Sequence, residues 1–135
     1  MGFLGKMVGY ADVGLDATLI EEYLSEDEEV IQSFEFLRDA VILTNYGIYT
    51  VDVQGVTRQK KEVKFYPKKS ISSISFETAG TLDIDVDIKI GVVNNHMTMI
   101  EGELIRQPIE FKVPSSQTKE AKEVIQLVKQ YYLHD

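Results

Sequence analysis

The amino-acid sequence predicts a mainly β domain that opens with a short helix and closes with a longer C-terminal helix. The first observation is residues 82–90, where Leu, Ile and Val alternate with Asp and Lys. Successive side chains of a strand point to opposite faces, so this run has one apolar and one charged face. Other runs also have period two, and the C-terminus has apolar residues at helical spacing. About seven antiparallel strands are predicted, because the strands follow one another too closely for crossover helices.

Composition narrows the class of protein. The 135 residues are enough for one domain with its own core. A formal net charge of −8 disfavours nucleic acid as a partner. Cysteine is absent, which excludes disulfides, thiolate zinc sites and thiol catalysis and suits a reducing compartment. Since the sequence shows neither a signal peptide nor an apolar run of about 20 residues, we expect a cytoplasmic protein.

The N-terminal segment is predicted to divide into an arm and the start of the domain. Residues 1–15 are glycine-rich and mildly apolar, which predicts an arm, and residues 16–135 are predicted to form the domain. A short helix is expected to begin near Asp16, because apolar residues recur at helical spacing and Thr18 opens a capping box. The acidic stretch 25–29 then interrupts the pattern and predicts a solvated turn.

Period two begins at Val30 and predicts a strand with Phe34 and Phe36 directed inward. The charges at residues 38–39 predict a bend or bulge before the apolar pattern resumes. The stretch 44–47 then supplies the turn of a hairpin.

In that turn, Asn45 and Gly47 both tolerate positive φ. The later strands are expected to direct Phe65 and Phe76 inward. These later strands are predicted at residues 48–53, within 58–69, and at 70–76, 82–90, 96–100 and 105–113.

The C-terminal segment predicts an amphipathic helix from about residue 117 that covers the apolar face of the sheet. Its apolar residues recur at three- and four-residue spacing: Ala121, Val124, Ile125, Val128, Tyr131 and Tyr132. Ser115, Ser116 or Thr118 is expected to cap its first turn.

A basic run between residues 58 and 69 is the one candidate contact site for an anionic surface. It contains Arg58, Lys60, Lys61, Lys64, Lys68 and Lys69. Each lysine beside an anionic membrane contributes about 1 kcal/mol, so four to six on one face suffice for weak binding. The alternative is that these charges are the wet face of a strand, because Lys60 and Lys64 take the parity opposite to Val63 and Phe65.

The charged face of residues 82–90 carries Asp83, Asp85 and Asp87, spaced by about 6.5–7 Å. A calcium loop needs glycine at its sixth position and glutamate at its twelfth, where this chain has Ile88 and Asn94. Solvated or cross-strand-paired carboxylates are therefore predicted, and their role stays open.

No reaction is indicated by the sequence. His96 and His134 are far apart, the serines lack the glycine-flanked elbow of a hydrolase, and no glycine pattern cradles a phosphate. We expect neither catalysis, nor a cofactor, nor a bound metal.

Several motifs resemble the bacterial pleckstrin-homology-like (PH-like) domain family over roughly residues 16–133. The most particular is the turn Glu77-Thr-Ala-Gly80 beside Asp83 and Asp85. The others are Phe36-Leu-Arg-Asp39, Thr44-Asn45, Val51-Asp52, Gln54-Gly-Val-Thr57 and Lys89-Ile90.

This resemblance implies a PH-like barrel of two near-orthogonal antiparallel sheets, plugged by the C-terminal helix. It also implies ring-like homo-oligomers, for a family whose role is largely undefined. Members often have basic residues after the Thr-Asn turn, where this chain has Tyr46-Gly47. The first hairpin, which holds phosphoinositides in eukaryotic relatives, offers only Arg38 beside Asp39, so no lipid site is carried over.

The function expected from these features is a non-enzymatic interaction module. Open sheet edges and the N-terminal arm predict a homo-oligomer that presents a protein- or peptide-binding surface. The alternative is peripheral association with anionic lipid through the basic run, and a small-ligand site in the barrel mouth is also compatible with the sequence.

Overall fold

A computed structural model of the chain describes residues 15–52, 62–77, 85–93, 98–100, 103–105 and 108–134. The chain forms two compact units, Met1–Lys68 and Lys69–Asp135. The predicted N-terminal arm lies almost wholly outside the described residues.

The first unit consists of a short helix followed by a four-stranded antiparallel sheet in chain order. Its strands are β1 (Val30–Glu35), β2 (Asp39–Thr44), β3 (Gly47–Asp52) and β4 (Val63–Pro67). The helix, Leu15–Tyr23, is where the sequence predicts one, but it is a 3-10 helix. In a 3-10 helix side chains three residues apart are stacked, and Ala17 and Ile20 are indeed both fully buried.

The core of the first unit lies between this 3-10 helix and one face of the sheet. The helix contacts β1 and β2. Ladder partners place Ala40 beside Val51 and Ile42 beside Tyr49, so their side chains share that face. The buried cluster consists of Ala17, Ile20, Val30, Ala40, Ile42, Tyr49 and Val51. All five residues of β2 from Ala40 to Thr44 are buried, so both faces of this central strand are covered.

The predicted bend at residues 38–39 and the predicted hairpin with its turn at residues 44–47 are both confirmed, with small changes in their details. The expected bend at residues 38–39 is part of a tight turn, in which the Phe36 N–H donates to the Asp39 carbonyl at 2.9 Å. Phe34 and Phe36 are buried, and their rings stack with centroids 5.8 Å apart. The turn forms at residues 44–47 as predicted, but Gly47 lies outside the left-handed region of φ, so the turn does not use its tolerance of positive φ. Gly47 is instead a point of close approach, because a Cβ there would collide with the Tyr66 carbonyl oxygen.

The second unit contains a three-stranded antiparallel sheet, a separate strand pair and the C-terminal helix. The elements are β5 (Ile71–Glu77), β6 (Val86–Val92), β7 (Thr98–Ile100), β8 (Glu103–Ile105), β9 (Ile109–Val113) and α1 (Thr118–Tyr131). The sheet order is β5-β6-β9, and β7 pairs with β8. The single strand predicted at 105–113 is therefore two, and Pro108, which has no N–H for a ladder, stands just before β9.

The period-two pattern of the central strand is confirmed where the structure describes it. Val86, Ile88 and Ile90 are buried in β6, while Asp87 is half-buried and Lys89 is exposed. Residues 82–84 lie outside the described residues. The helix α1 contacts β5 and β6, as predicted for a helix that covers the sheet.

The helix α1 buries a stripe close to the predicted one. Ala121, Val124 and Val128 are buried as expected, together with Leu127, which the prediction omitted. Its N-cap is Gln117, which makes no side-chain capping hydrogen bond, so the expected serine or threonine cap is wrong. A 3-10 turn, Ser115–Gln117, precedes the helix, and the Thr118 hydroxyl donates to the Ser115 carbonyl at 2.8 Å.

Two aromatic side chains predicted to point inward are instead partly exposed. Phe65 is 38% exposed and Phe76 is 48% exposed. They lie on β4 and β5, which are outer strands of the described sheets. An outer strand has a neighbour on one side only, so its side chains are less covered than those of a central strand. In β4, the buried ring is that of Tyr66.

The charged face of the second sheet pairs its charges across the strands. Asp87 faces Lys112 with 3.8 Å between Oδ1 and Nζ, and Lys89 faces Glu110 at 4.0 Å. The pairing predicted for this carboxylate face is therefore observed at Asp87. Asp85 is half-buried, and Asp83 lies outside the described residues.

We expect these ion pairs to contribute little stability. A double-mutant cycle with Asp87→Asn and Lys112→Met should give a coupling free energy below about 0.5 kcal/mol, because the lysine is well exposed and solvent screens the pair. Urea denaturation of the four proteins measures it. A coupling above about 1.5 kcal/mol would contradict the solvated description of this face.

No helix in the described part of the chain is long and apolar enough to cross a membrane.

Candidate functional site

A cleft of about 530 Å³ opens on the first unit. Its volume lies within the range of about 300–1,000 Å³ that is common for ligand sites. We call it the aromatic cleft, because four of its seven lining residues are aromatic. The lining residues are Tyr23, Ser25, Glu28, Tyr46, Tyr49, Val63 and Phe65.

Three parts of the first unit supply these residues. Tyr23 ends the 3-10 helix, and Tyr46 lies in the hairpin turn between β2 and β3. Tyr49 and Phe65 are ladder partners of β3 and β4, so their side chains leave the same face of the sheet. Their ring centroids are 4.7 Å apart and their planes are tilted by 47°, which is a favourable aromatic contact.

Glu28 contributes a buried carboxylate to the cleft. Only 1% of this residue is exposed, so the prediction of a solvated turn at 25–29 is wrong at this position. Its Oε1 accepts hydrogen bonds from the Ser25 N–H at 3.0 Å and the Tyr49 hydroxyl at 3.1 Å. Its Oε2 accepts one from the Thr44 hydroxyl at 2.7 Å. These donors satisfy a buried charge that would otherwise be costly.

Asn45 holds the acidic turn against the hairpin turn and thereby fixes Glu28. The Asn45 Oδ1 accepts from the Glu29 N–H at 2.7 Å, and its Nδ2 donates to the Asp27 carbonyl at 3.1 Å. Its backbone N–H also donates to the Glu29 carbonyl at 3.1 Å. Asn45 thus bonds to the residues on either side of Glu28, which are Asp27 and Glu29, and so holds the floor of the cleft in place.

The rim of the cleft exposes apolar surface. Tyr23 is 49% exposed, Tyr46 is 40% exposed and Phe65 is 38% exposed. Within the described residues these are three of the six large hydrophobic side chains that are exposed. Exposed aromatic surface gathered at one concave place is typical of an interaction site.

The chemistry of the tyrosines follows from their surroundings. Burial, with the Glu28 carboxylate as a second cause, raises the pKa of Tyr49 far above its ordinary value. The hydrogen bond with Glu22 raises the pKa of Tyr23, which lies at the surface. Both phenols are therefore neutral at physiological pH, and Tyr49 acts as a hydrogen-bond donor to Glu28.

The raised pKa of Tyr49 predicts a specific loss of stability in alkali. The folded state favours the neutral phenol, so this contribution is complete below pH 10 and is lost as the pH rises through the raised pKa. Tyr49→Phe should therefore lose less stability than the wild type above pH 10. Urea denaturation at increasing pH measures the difference, and identical slopes for the two proteins would contradict the raised pKa of the buried Tyr49 phenol.

The structure describes only part of the predicted basic run. Lys64 is half-buried and its Nζ lies 3.6 Å from Glu62 Oε1, while Lys68 and Lys69 are exposed. Lys64 leaves β4 on the face opposite to Phe65, so it is not part of the cleft. Arg58, Lys60 and Lys61 lie outside the described residues. Membrane attachment through this run stays a prediction, which sedimentation with anionic and neutral vesicles tests.

Other candidate residues do not converge. His134 is exposed, and His96 lies outside the described residues. Across the described ranges, no three His, Asp or Glu side chains are grouped to hold a metal ion.

Sequence reasoning missed the aromatic cleft. The usable signals were the Thr44-Asn45 turn and, far from it in the sequence, the acidic stretch 25–29, because Thr, Asn and Asp side chains in turns bond to nearby backbone groups. Which of the four acidic residues would be buried depends on how two turns distant in sequence meet, and no periodicity reports that.

Comparisons with known proteins agree with this architecture. The family model for the bacterial PH domain matches residues 3–128. The Bacillus subtilis (strain 168) protein YjqA is 39% identical over 95 residues, which are 68% of this chain and 76% of YjqA. YvbH from the same organism is 31% identical over 90 residues, which are 64% of this chain but only 43% of YvbH.

Solved structures show the same fold. A pleckstrin-homology domain from Shewanella amazonensis SB2B has a TM-score of 0.67 at 24% identity, over 91% of this chain and all of that domain. A DUF1696 family protein with a pleckstrin-homology domain, from Shewanella loihica PV-4, has a TM-score of 0.66 at 22% identity, over 90% of this chain and 96% of its own. The predicted PH-like fold is thus confirmed, and the chain belongs to the bacterial PH domain family.

Proposed function

We propose that this chain is a non-enzymatic binding module that holds a segment of a protein partner in the aromatic cleft. The observation that carries the proposal is the convergence of Tyr23, Tyr46 and Phe65, all partly exposed, on one cleft. Aromatic rings give a large contact area for little loss of side-chain freedom, and they dominate the binding energy of many interfaces. The cleft therefore has the chemistry of recognition, with rings for contact and a fixed carboxylate for orientation.

Selection of displayed peptides on the immobilised protein tests this proposal. Peptides enriched on the wild type should lose at least tenfold in affinity for Phe65→Ala, because about 1.4 kcal/mol is a modest part of what a buried aromatic contact supplies. Phe76→Ala is the matched control, since Phe76 is an exposed phenylalanine of the second unit. If the peptides bind Phe65→Ala and Phe76→Ala as tightly as they bind the wild type, the assignment of the cleft is overturned.

We also propose that the module self-assembles through β5. The support comes from the burial pattern of this outer strand, since five of its seven residues are exposed, among them Phe76. Among the described strands, β5 pairs with β6 alone, which leaves one edge for a strand from a second copy.

Light scattering after size exclusion tests this assembly. The wild type should be larger than 15.3 kDa, and Phe76→Lys should shift it towards the monomer, because a charge on an outer strand opposes edge pairing. Leu37→Lys, at another exposed apolar side chain, should leave the size unchanged. A wild type that is monomeric at high concentration would contradict the proposal.

A further inference from the structure

Within the first unit, the segment from the 3-10 helix to β3, which supplies most of the cleft lining, carries a strong excess of negative charge, whereas the basic run follows β3. Residues 15–52 contain ten Asp and Glu against one basic residue, Arg38. The turn that supplies Ser25 and Glu28 also exposes Glu26, Asp27 and Glu29, and the 3-10 helix exposes Glu21 and Glu22 near Tyr23. Charge of one sign around a concave site attracts ligands of the opposite sign and raises their rate of association.

The buried carboxylate at the floor has no cationic partner in the described part of the chain. Glu28 accepts its three hydrogen bonds from a backbone amide and two hydroxyls, which are all neutral donors. The ion pairs found among these residues do not include it. Buried charges in proteins are ordinarily paired. A ligand with a positive group would complete this arrangement.

The number of remaining acceptor positions limits the shape of that group. An ionised carboxylate has about four acceptor positions. Oε1 already accepts two hydrogen bonds and Oε2 one, so Oε2 has one position left. A guanidinium binds best to a carboxylate through two parallel hydrogen bonds, whereas an ammonium binds as a single point charge.

The rings add a second attraction for a cation. A lysine ammonium placed over the face of Tyr or Phe is attracted by the ring quadrupole. Tyr46 and Phe65 are partly exposed around the cleft, and Tyr49 lies deeper and donates to Glu28. Rings and carboxylate thus favour the same kind of ligand.

We propose that the aromatic cleft takes a lysine side chain of the partner segment, with its ammonium group directed towards Glu28 and its methylene chain against Tyr46 and Phe65. This inference rests on the binding role proposed above and names the chemistry of the ligand. The partner segment would be basic on the side of that lysine that meets the 3-10 helix and the turn at 25–29, since these two segments are acidic.

Titration with matched peptides, followed by amide shifts in NMR spectra, tests the inference. The first peptide has lysine at its centre between capped glycines, and the second has norleucine, which keeps the methylene chain but lacks the ammonium group. The lysine peptide should bind about tenfold more tightly or better. Glu28→Gln should abolish most of that preference.

A second variant keeps the test valid if Glu28→Gln does not fold. Tyr46→Leu retains an apolar side chain at a partly exposed turn but removes the ring. It should weaken the lysine peptide by about threefold to tenfold and the norleucine peptide much less. Phe76→Leu, the same kind of change on β5, should alter neither affinity.

The outcomes separate this inference from the broader proposal. Equal binding of both peptides, with shifts at cleft residues, would overturn the lysine assignment and leave the cleft as the binding site. Tighter binding of an arginine peptide than of the lysine peptide would overturn the argument from the single acceptor position. Amide shifts confined to β5 would overturn the lysine assignment and also the proposal that the cleft is the binding site.

Discussion

Gly47→Ala should destabilise the protein by about 3 kcal/mol, although the change adds a single methyl group. A Cβ at this position would collide with the Tyr66 carbonyl oxygen and would lie 3.0 Å from both the Phe65 ring and the Pro67 Cα. Two of these neighbours are backbone atoms of β4, so β3 and β4 would have to separate. Urea denaturation followed by circular dichroism measures the loss.

Gly91→Ala is the matched control, because it adds the same methyl group to a β-strand glycine. There a Cβ would meet the hydroxyls of Ser73 and Ser72, and these oxygens can rotate away about one bond. Its free energy of unfolding should change by less than about 1 kcal/mol. Equal losses for the two variants would contradict the close approach of β3 and β4 at Gly47.

Glu28→Ala should also destabilise the protein by about 3 kcal/mol. It leaves the Tyr49 and Thr44 hydroxyls and the Ser25 N–H without their acceptor, and each buried donor without a partner costs about 1–3 kcal/mol before water compensates. The open cleft admits water to some of these groups, which keeps the total below the full sum. Urea denaturation at neutral pH measures it.

Glu29→Ala is the control for this prediction, since it removes the neighbouring carboxylate from an exposed position. Glu29 meets Asn45 through its backbone, which the substitution keeps. Its effect should be within about 0.5 kcal/mol. A stability of Glu28→Ala equal to that of Glu29→Ala would show that the acidic turn is a solvated loop.

Much of the fold was predictable because periodicity reports directly which face of an element is buried. Val86, Ile88 and Ile90 alternate with charges and are buried as the alternation requires, and the stripe of α1 follows from its helical spacing. The two wrong predictions of inward-pointing phenylalanines have a common cause. The exposure of Phe65 and Phe76 depends on which strands lie at the outside of a sheet, and the order of strands is not contained in the pattern of any one strand.

The aromatic cleft was harder to predict because it is built from turns. Glu28 and Tyr46 lie in segments without regular periodicity, and they meet because Asn45 and Thr44 bind the acidic turn to the hairpin turn. The contact of Tyr49 with Phe65 depends on the register of β3 and β4. A connection of ten residues, 53–62, separates these strands, so sequence alone does not determine that register.

The proposed function requires that a partner side chain enter the aromatic cleft of the first unit. Intermolecular nuclear Overhauser effects between the lysine peptide and the labelled protein detect this entry. We expect contacts from the lysine methylene protons to the rings of Tyr46 and Phe65. Contacts to Phe76 in their place, or to no aromatic ring of the first unit at saturating peptide, would contradict it.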